Sequence, residues 1–135
     1  MAESIEQFRI YKSSRIAEDQ VYELVKKFPA NQFYGLGNDL RRSSASVSHH
    51  LMAAHRVFSY RLKLIELEEM RRDAEITQMH LESARPLGAT DSLINEYIGV
   101  IKQSWGLTKW LKQKLLEKQA NAEITAKDEL VAALG

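Results

Sequence analysis

Apolar side chains recur every three or four residues along most of this chain of 135 residues. That spacing places them on one face of an α-helix, whereas a half-buried strand would alternate every second residue. Only two prolines and six glycines are present, which favours long helices, and no segment shows a strand pattern. The chain is therefore predicted to be all-α. The four apolar stripes comprise Ile10, Ala17, Val21, Leu24 and Phe28; Leu40, Ser44, Val47, Leu51, Ala54 and Phe58; Leu62, Ile65, Ala74, Ile76 and Met79; and Ile94, Ile98, Ile101, Trp105, Thr108, Leu111 and Leu115.

Local signals divide the first three helices. Pro29 cannot continue a helix, so the first helix is expected to end at Phe28 and the second to begin near Asn31. One helix from there to Ala84 would be about 80 Å long, which a domain of this size could hardly cover. We therefore expect a tight turn at residues 56–58, with Ser59 as the N-cap of the third helix.

A second proline separates the third and fourth helices. Pro86 stops the third helix, and Thr90 or Asp91 is expected to cap the fourth. Four amphipathic helices joined by short connections predict an antiparallel up-and-down four-helix bundle. We assign this bundle to residues 1–118 and a C-terminal tail to residues 119–135, as either a frayed helix or an oligomer contact.

Composition excludes several classes of protein. Hydrophobic residues at 44% and charged residues at 27% are typical of a globular domain. The absence of cysteine excludes disulfides and thiolate chemistry and fits a cytoplasmic protein. The first residues lack the apolar core of a signal peptide, and no apolar run is long enough to span a membrane. With a net charge of +1, any attraction to nucleic acid must come from local patches.

Basic residues cluster on two of the predicted helices. Arg42, His49 and Arg56 recur every seven residues opposite the apolar stripe of the second helix, and five lysines with a single acid occupy residues 102–118. Together they form a candidate phosphate-binding surface, and a solvated helix face is the alternative. The candidate nucleic-acid-binding residues are Arg41, Arg42, His49, Arg56, Lys102, Lys109 and Lys112.

The fourth helix also carries a candidate subunit interface. Gly99 and Gly106 are seven residues apart, on the side away from the apolar stripe and next to Trp110. Each glycine inside a helix costs about 1 kcal/mol relative to alanine, so two on one line beside a large aromatic suggest close packing of another helix. The alternative is that the two glycines arose by neutral drift and that Trp110 is simply half exposed.

No pattern indicates catalysis, a metal or a cofactor. No pair among His49, His50 and His55 has the four-residue spacing that puts two imidazoles on one metal, and the Glu-x-x-His motif of di-iron bundles does not occur. The serines at positions 43–48 have no nearby acid to orient a histidine, and their small size suits helix packing. Gly35-Leu36-Gly37 lacks the rest of a dinucleotide-binding motif. We therefore expect a protein that is not an enzyme.

One stretch resembles a known family. Phe28-Pro29, Tyr34-Gly35-Leu36 and the run from Leu40 to Val47 are similar to the motif of four-helix-bundle proteins encoded by intervening sequences in bacterial 23S rRNA genes. The similarity extends over roughly residues 8–118, because the turn around Pro86 also falls where the family has one. Residues 50–54 depart from the Asn-Ile-Ala-Glu-Gly segment that is usual in the family.

The resemblance implies an up-and-down bundle assembled as a homopentameric ring. It also implies kinship with the accessory variability proteins of diversity-generating retroelements, which bind a reverse transcriptase and RNA through a basic surface. Arg41 and Arg42 are the basic positions that match the family motif. The hypothesis with most support is a non-enzymatic oligomer that binds RNA or DNA as an accessory protein. The alternative is a protein-interaction scaffold, for example a reverse-transcriptase subunit, without direct nucleic-acid binding.

Overall fold

Four long helices dominate the computed structural model of this chain, which describes residues 2–135, with side chains from residue 8 onward. They are α1 (Ala2–Val25), α2 (Asn38–Arg56), α3 (Tyr60–Ser83) and α4 (Asp91–Leu134). No strand occurs among the described residues. The all-α prediction is therefore confirmed.

The helices pack in the order in which they occur in the sequence. Each contacts its neighbours along the chain, and α1 also contacts α4. Ser43 near the start of α2 is hydrogen-bonded to Thr77 near the end of α3, and Ala54 near the end of α2 is hydrogen-bonded to Lys63 near the start of α3. The two helices therefore run in opposite directions. The predicted packing of four helices is confirmed. In this arrangement α2 and α4 lie on diagonally opposite corners of the bundle.

The core combines aliphatic side chains with a few small hydroxyl groups. Ser14 on α1 and Ser48 on α2 lie 3.1 Å apart, Oγ to Oγ, and Thr77 on α3 donates a 2.8 Å bond to Ser43 on α2. Both pairs are buried, so each hydroxyl has the partner that burial requires. These contacts place the α2 serines against both neighbouring helices. The fully buried aliphatic and aromatic residues include Ile10, Val21, Leu40, Val47, Leu51, Leu67, Met70, Leu81, Tyr97 and Leu111.

The chain enters α2 through an irregular helical segment. A single α-turn at Ala30–Gln32 is followed by a π-helical turn at Phe33–Gly37, which continues into α2 without a break. Gly37 is buried, and a Cβ atom there would lie only 2.9 Å from Cγ1 of Val25. The glycine therefore lets the start of α2 approach the end of α1 closely.

The predicted turns lie where the local sequence signals place them. Helix α2 ends at Arg56, and the hydroxyl of Ser59 accepts a 3.4 Å bond from the backbone N–H of Leu62, which confirms this N-cap. A short 3₁₀ turn at Arg85–Leu87 follows α3, and α4 begins at Asp91.

The predicted apolar face of α3 is wrong in several places. Leu62, Ile65 and Met79 are 49%, 52% and 68% exposed. Lys63 and Arg71, which lie outside the predicted stripe, are buried instead. Long basic side chains can bury their stems when their charged ends find partners, and both do so on neighbouring helices. The buried residues of α3 are Lys63, Leu67, Met70, Arg71, Ala74, Thr77 and Leu81.

Helix α4 is much longer than the other three. Its 44 residues span about 66 Å at 1.5 Å per residue, and it continues through the predicted tail to Leu134. Residues 116–134 are exposed along their whole length. None of the helices in the described part of the chain combines the length and the apolar character needed to cross a membrane.

Candidate nucleic-acid interface

The outward side of α2 carries a line of basic residues. Arg42, His49 and Arg56 follow one another at seven-residue steps and are exposed, and Arg41 lies beside them on the side of α1. Arg42 and Arg56 are fourteen positions apart, which corresponds to about 21 Å along the helix axis. We call these four residues the basic edge.

The cations of the basic edge are largely available to a ligand. Within residues 8–135, the side chains of Arg42 and Arg56 make no hydrogen bond and no ion pair. The guanidinium of Arg41 lies over the ring of Tyr22, 4.8 Å from its centroid. A cation on an aromatic face keeps its charge and its outward N–H groups, so Arg41 can still bind an anion.

Two carboxylates of α1 face the basic edge but already have a partner. Glu18 and Asp19 line a depression of about 510 Å³ together with Arg41 and Arg42. Arg15 lies 2.7 Å from Glu18 and 3.7 Å from Asp19. The hydrogen bond to Glu18 raises the pKa of Arg15. The positive charge of Arg15 therefore offsets part of the negative potential that these acids exert on the edge.

The carboxylates of α3 on the other side are also engaged. The Nδ1 atom of His50 lies 2.7 Å from Glu66, and its Nε2 atom lies 3.5 Å from Asp73. Ser46 donates a 2.5 Å bond to the same carboxylate of Asp73. This cluster links α2 to α3 and keeps both acids at the contact between the two helices. The basic edge thus lies between two rows of acids that have local partners.

The structure does not bring the lysines of α4 to this edge. Lys102, Lys109 and Lys112 are exposed, but α4 is diagonal to α2, so the two sets of basic residues form separate surfaces. The order of the helices was the signal for this separation, because in an up-and-down bundle the second and fourth helices do not share a face. The seven candidate residues therefore fall into a group of four and a group of three.

The predicted subunit interface on α4 is open in part. A Cβ atom added at Gly99 or Gly106 would meet no heavy atom within 4 Å. Trp110 is half-buried, with its ring 6.2 Å from that of Tyr60 and 5.6 Å from the ammonium group of Lys114. The tryptophan therefore packs within its own bundle, whereas the glycines leave a smooth groove. That a second subunit fills this groove stays a prediction.

Arg71 is a residue that the sequence analysis missed. It is only 7% exposed; its Nη1 group donates to the hydroxyls of Ser104 and Thr108 at 3.2 and 2.8 Å, and its guanidinium lies 3.8 Å from the ring centroid of Trp105. Burial lowers the pKa of Arg71. Because all these partners lie on α4, Arg71 joins α3 to α4. The arginine is thus a packing residue of the bundle.

No three histidine, aspartate or glutamate side chains in the described part of the chain are grouped so that they could hold a metal ion. Ser43, Ser44 and Ser48 are buried in helix contacts. In comparisons with known proteins, no family model and no curated sequence matches the chain. The basic edge is the feature on which the functional proposal rests.

Proposed function

We propose that this chain is a non-enzymatic accessory protein of the cytoplasm that binds RNA along the basic edge of α2. The observation that carries this proposal is the line from Arg42 to Arg56, whose two guanidinium groups have no hydrogen bond or ion pair in the described structure. Exposed cations at regular steps along a helix suit the phosphates of a nucleic acid, because most of the affinity for a polyanion comes from such contacts.

The small size of the basic edge makes assembly part of the proposal. Three or four cations on a chain of net charge +1 provide few phosphate contacts. A homo-oligomer, such as the pentamer implied by the family resemblance, would present several copies of the edge to one RNA and raise the overall affinity without any new contact. We propose that assembly of this kind accompanies RNA binding.

Two charge-reversed variants of the full chain test this function. The first is Arg42→Glu with Arg56→Glu, and the matched control is Lys102→Glu with Lys109→Glu on the diagonal helix. Both lower the net charge by the same amount. Binding to a fluorescently labelled single-stranded RNA is measured by anisotropy over a range of salt concentrations, with circular dichroism as the check on folding.

We expect the α2 variant to lose at least tenfold in affinity. Its salt dependence should also become weaker, since each phosphate contact contributes about 0.7 to the slope of log K against log salt for a single strand. The α4 control should keep most of its affinity. Equal losses in the two variants would mean that only net charge matters, and the basic edge would not be the binding site. No binding by the native chain would reject the function itself.

A protein-interaction scaffold is the second candidate function. Phe58 is 98% exposed in the turn before α3, and Leu62 and Ile65 on α3 have about half of their surface exposed. We call these three residues the Phe58 cluster. Clustered apolar side chains on a surface often mark a contact with another protein. A protein partner, such as a reverse transcriptase, that stays bound after nuclease treatment and high salt, and is lost on Phe58→Ser with Leu62→Ser, would support this function.

A further inference from the structure

The second half of α4 extends beyond the bundle. Leu111 is the last buried residue of the helix, and the ammonium group of Lys118 lies 4.3 Å from the ring centroid of Tyr60. Residues 116–134 are exposed on all sides. At 1.5 Å per residue this projecting segment is about 28 Å long. A single helix of this length is marginally stable in water unless part of it packs against something.

One face of the projecting segment is apolar. Leu116, Ile124, Leu130, Val131 and Leu134 are between 58% and 79% exposed. Together with Ala120 they recur at helical spacing, so they form one stripe along the helix. We call this set of six residues the α4 stripe. It shares no residue with the basic edge or with the Phe58 cluster.

Two charged residues lie within the α4 stripe and determine which partner fits it. Glu123 and Lys127 are four residues apart on this face. In the described part of the chain neither forms an ion pair. A parallel copy in register would place Glu123 against Glu123 and Lys127 against Lys127, which is repulsive. An antiparallel copy with its twofold axis at residue 125 places each Glu123 opposite Lys127 of the second copy.

Four of the six residues of the α4 stripe pair with one another in the same register. Around an axis at residue 125, Leu116 falls opposite Leu134, and Ala120 falls opposite Leu130. A small residue is thus matched with a large one, and the ends of the stripe meet large apolar side chains. The antiparallel arrangement also places the two bundles at opposite ends of the paired helices, where they do not collide.

We infer that a second copy of this chain binds along the α4 stripe, antiparallel and about a twofold axis at residue 125. The pair is isologous, because the same surface is used by both copies. This inference is independent of RNA binding, and the interface differs from the proposed groove at Gly99 and Gly106. Its stoichiometry is two chains, whereas the ring implied by the family resemblance has five.

Charge exchange at Glu123 and Lys127 tests the pairing by sedimentation of the full chain. Glu123→Lys alone places Lys against Lys in an antiparallel pair, and Lys127→Glu alone places Glu against Glu. We expect each variant to dissociate at least tenfold more readily than the native dimer. An equimolar mixture should recover dimers, because every facing pair is then opposite in charge.

The mixture also separates pairing from damage to the helix. Each single variant carries two like charges four residues apart, which weakens a helix by itself, and mixing does not remove that defect. Recovery of dimers in the mixture therefore reports contact between chains. A native chain that stays monomeric, or single variants that dimerise as well as the native chain, would overturn the inference.

The orientation is tested by disulfide formation, which is simple because the chain has no cysteine. Ala120→Cys and Leu130→Cys are prepared separately and oxidised mildly, alone and mixed. In the antiparallel pair the two positions face each other, so crosslinked dimers should form mainly in the mixture. Efficient crosslinking of Ala120→Cys with itself would show a parallel pair and contradict the proposed register.

Discussion

Replacing Gly99 and Gly106 with alanine is expected to stabilise the monomeric chain by about 2 kcal/mol. Both residues lie inside α4, where glycine costs roughly 1 kcal/mol relative to alanine because it loses more backbone entropy on folding. A Cβ atom at either position meets no heavy atom within 4 Å. No clash should therefore offset the gain in helix propensity.

The assay is thermal unfolding at low protein concentration, followed by circular dichroism. An unfolding entropy of about 2.1 cal/mol/K per residue, applied to 135 residues, converts this stabilisation into a rise of about 7 °C in the midpoint. Gly37→Ala is the matched control. Its Cβ atom would lie 2.9 Å from Cγ1 of Val25, so the same substitution there should lower the midpoint.

The same variant examines the proposed groove between subunits. If a second helix packs against Gly99 and Gly106, the added methyl groups should weaken association although each chain alone becomes more stable. Sedimentation of the double variant at high concentration measures this effect. A monomer that is less stable than the native chain would refute the reasoning from helix propensity, and unchanged association would exclude the groove as an interface.

Three further outcomes follow from buried polar groups. Lys63→Met should lower stability by about 1.5–3 kcal/mol in urea unfolding, because the ammonium group donates a 2.9 Å bond to the carbonyl of Ala54 at the end of α2; an unchanged midpoint would contradict this. Arg71→Lys should lower the free energy of unfolding by about 1–2 kcal/mol and alter tryptophan fluorescence, because lysine lacks the planar guanidinium group that lies over Trp105 and donates to α4. An unchanged spectrum and stability would argue against the role of Arg71 in joining α3 to α4. Burial, assisted by the charge of Glu18, raises the pKa of Tyr97. The contribution of Tyr97 to stability is therefore complete below the pKa of an unfolded tyrosine, near 10, and should be lost as the pH rises above that value. Absorbance titration can detect the ionisation of Tyr97, with Tyr97→Phe as the control.

Signals that depend on neighbouring residues in the sequence predicted the fold well. Ser59 follows a helix end and precedes an amphipathic run, so its role as an N-cap could be inferred from local chemistry. A proline cannot continue the interior of a helix, so the stop at Pro86 could also be inferred from local sequence. The length of α4 was harder to predict, because the alanine-rich segment after residue 118 has strong helix propensity but lies beyond the bundle core.

Features that depend on tertiary contacts could not be predicted in this way. Lys63 and Arg71 resemble surface residues in the sequence, and they are buried because carbonyl and hydroxyl groups on other helices receive their N–H donors. Within α2 the basic edge followed from helical periodicity alone. Its separation from Lys102 and Lys109 could be recognised only from the packing order of the helices. Periodicity describes one helix and carries no information about how two helices are placed relative to each other.

Pairing along the α4 stripe is expected to strengthen RNA binding by the basic edge. With about four phosphate contacts, a single copy would show a salt slope near −3 for a single strand, and its affinity would fall quickly as salt rises toward physiological concentrations. A dimer would carry two basic edges. Once one edge has bound an RNA, the other edge would meet the same RNA at an effective concentration in the mM range, provided that the RNA reaches both. Disrupting the α4 stripe should then weaken RNA binding even though residues 116–134 lie outside the basic edge. If the Glu123→Lys variant binds RNA as tightly as the native chain, the edge works in the monomer and pairing serves another purpose.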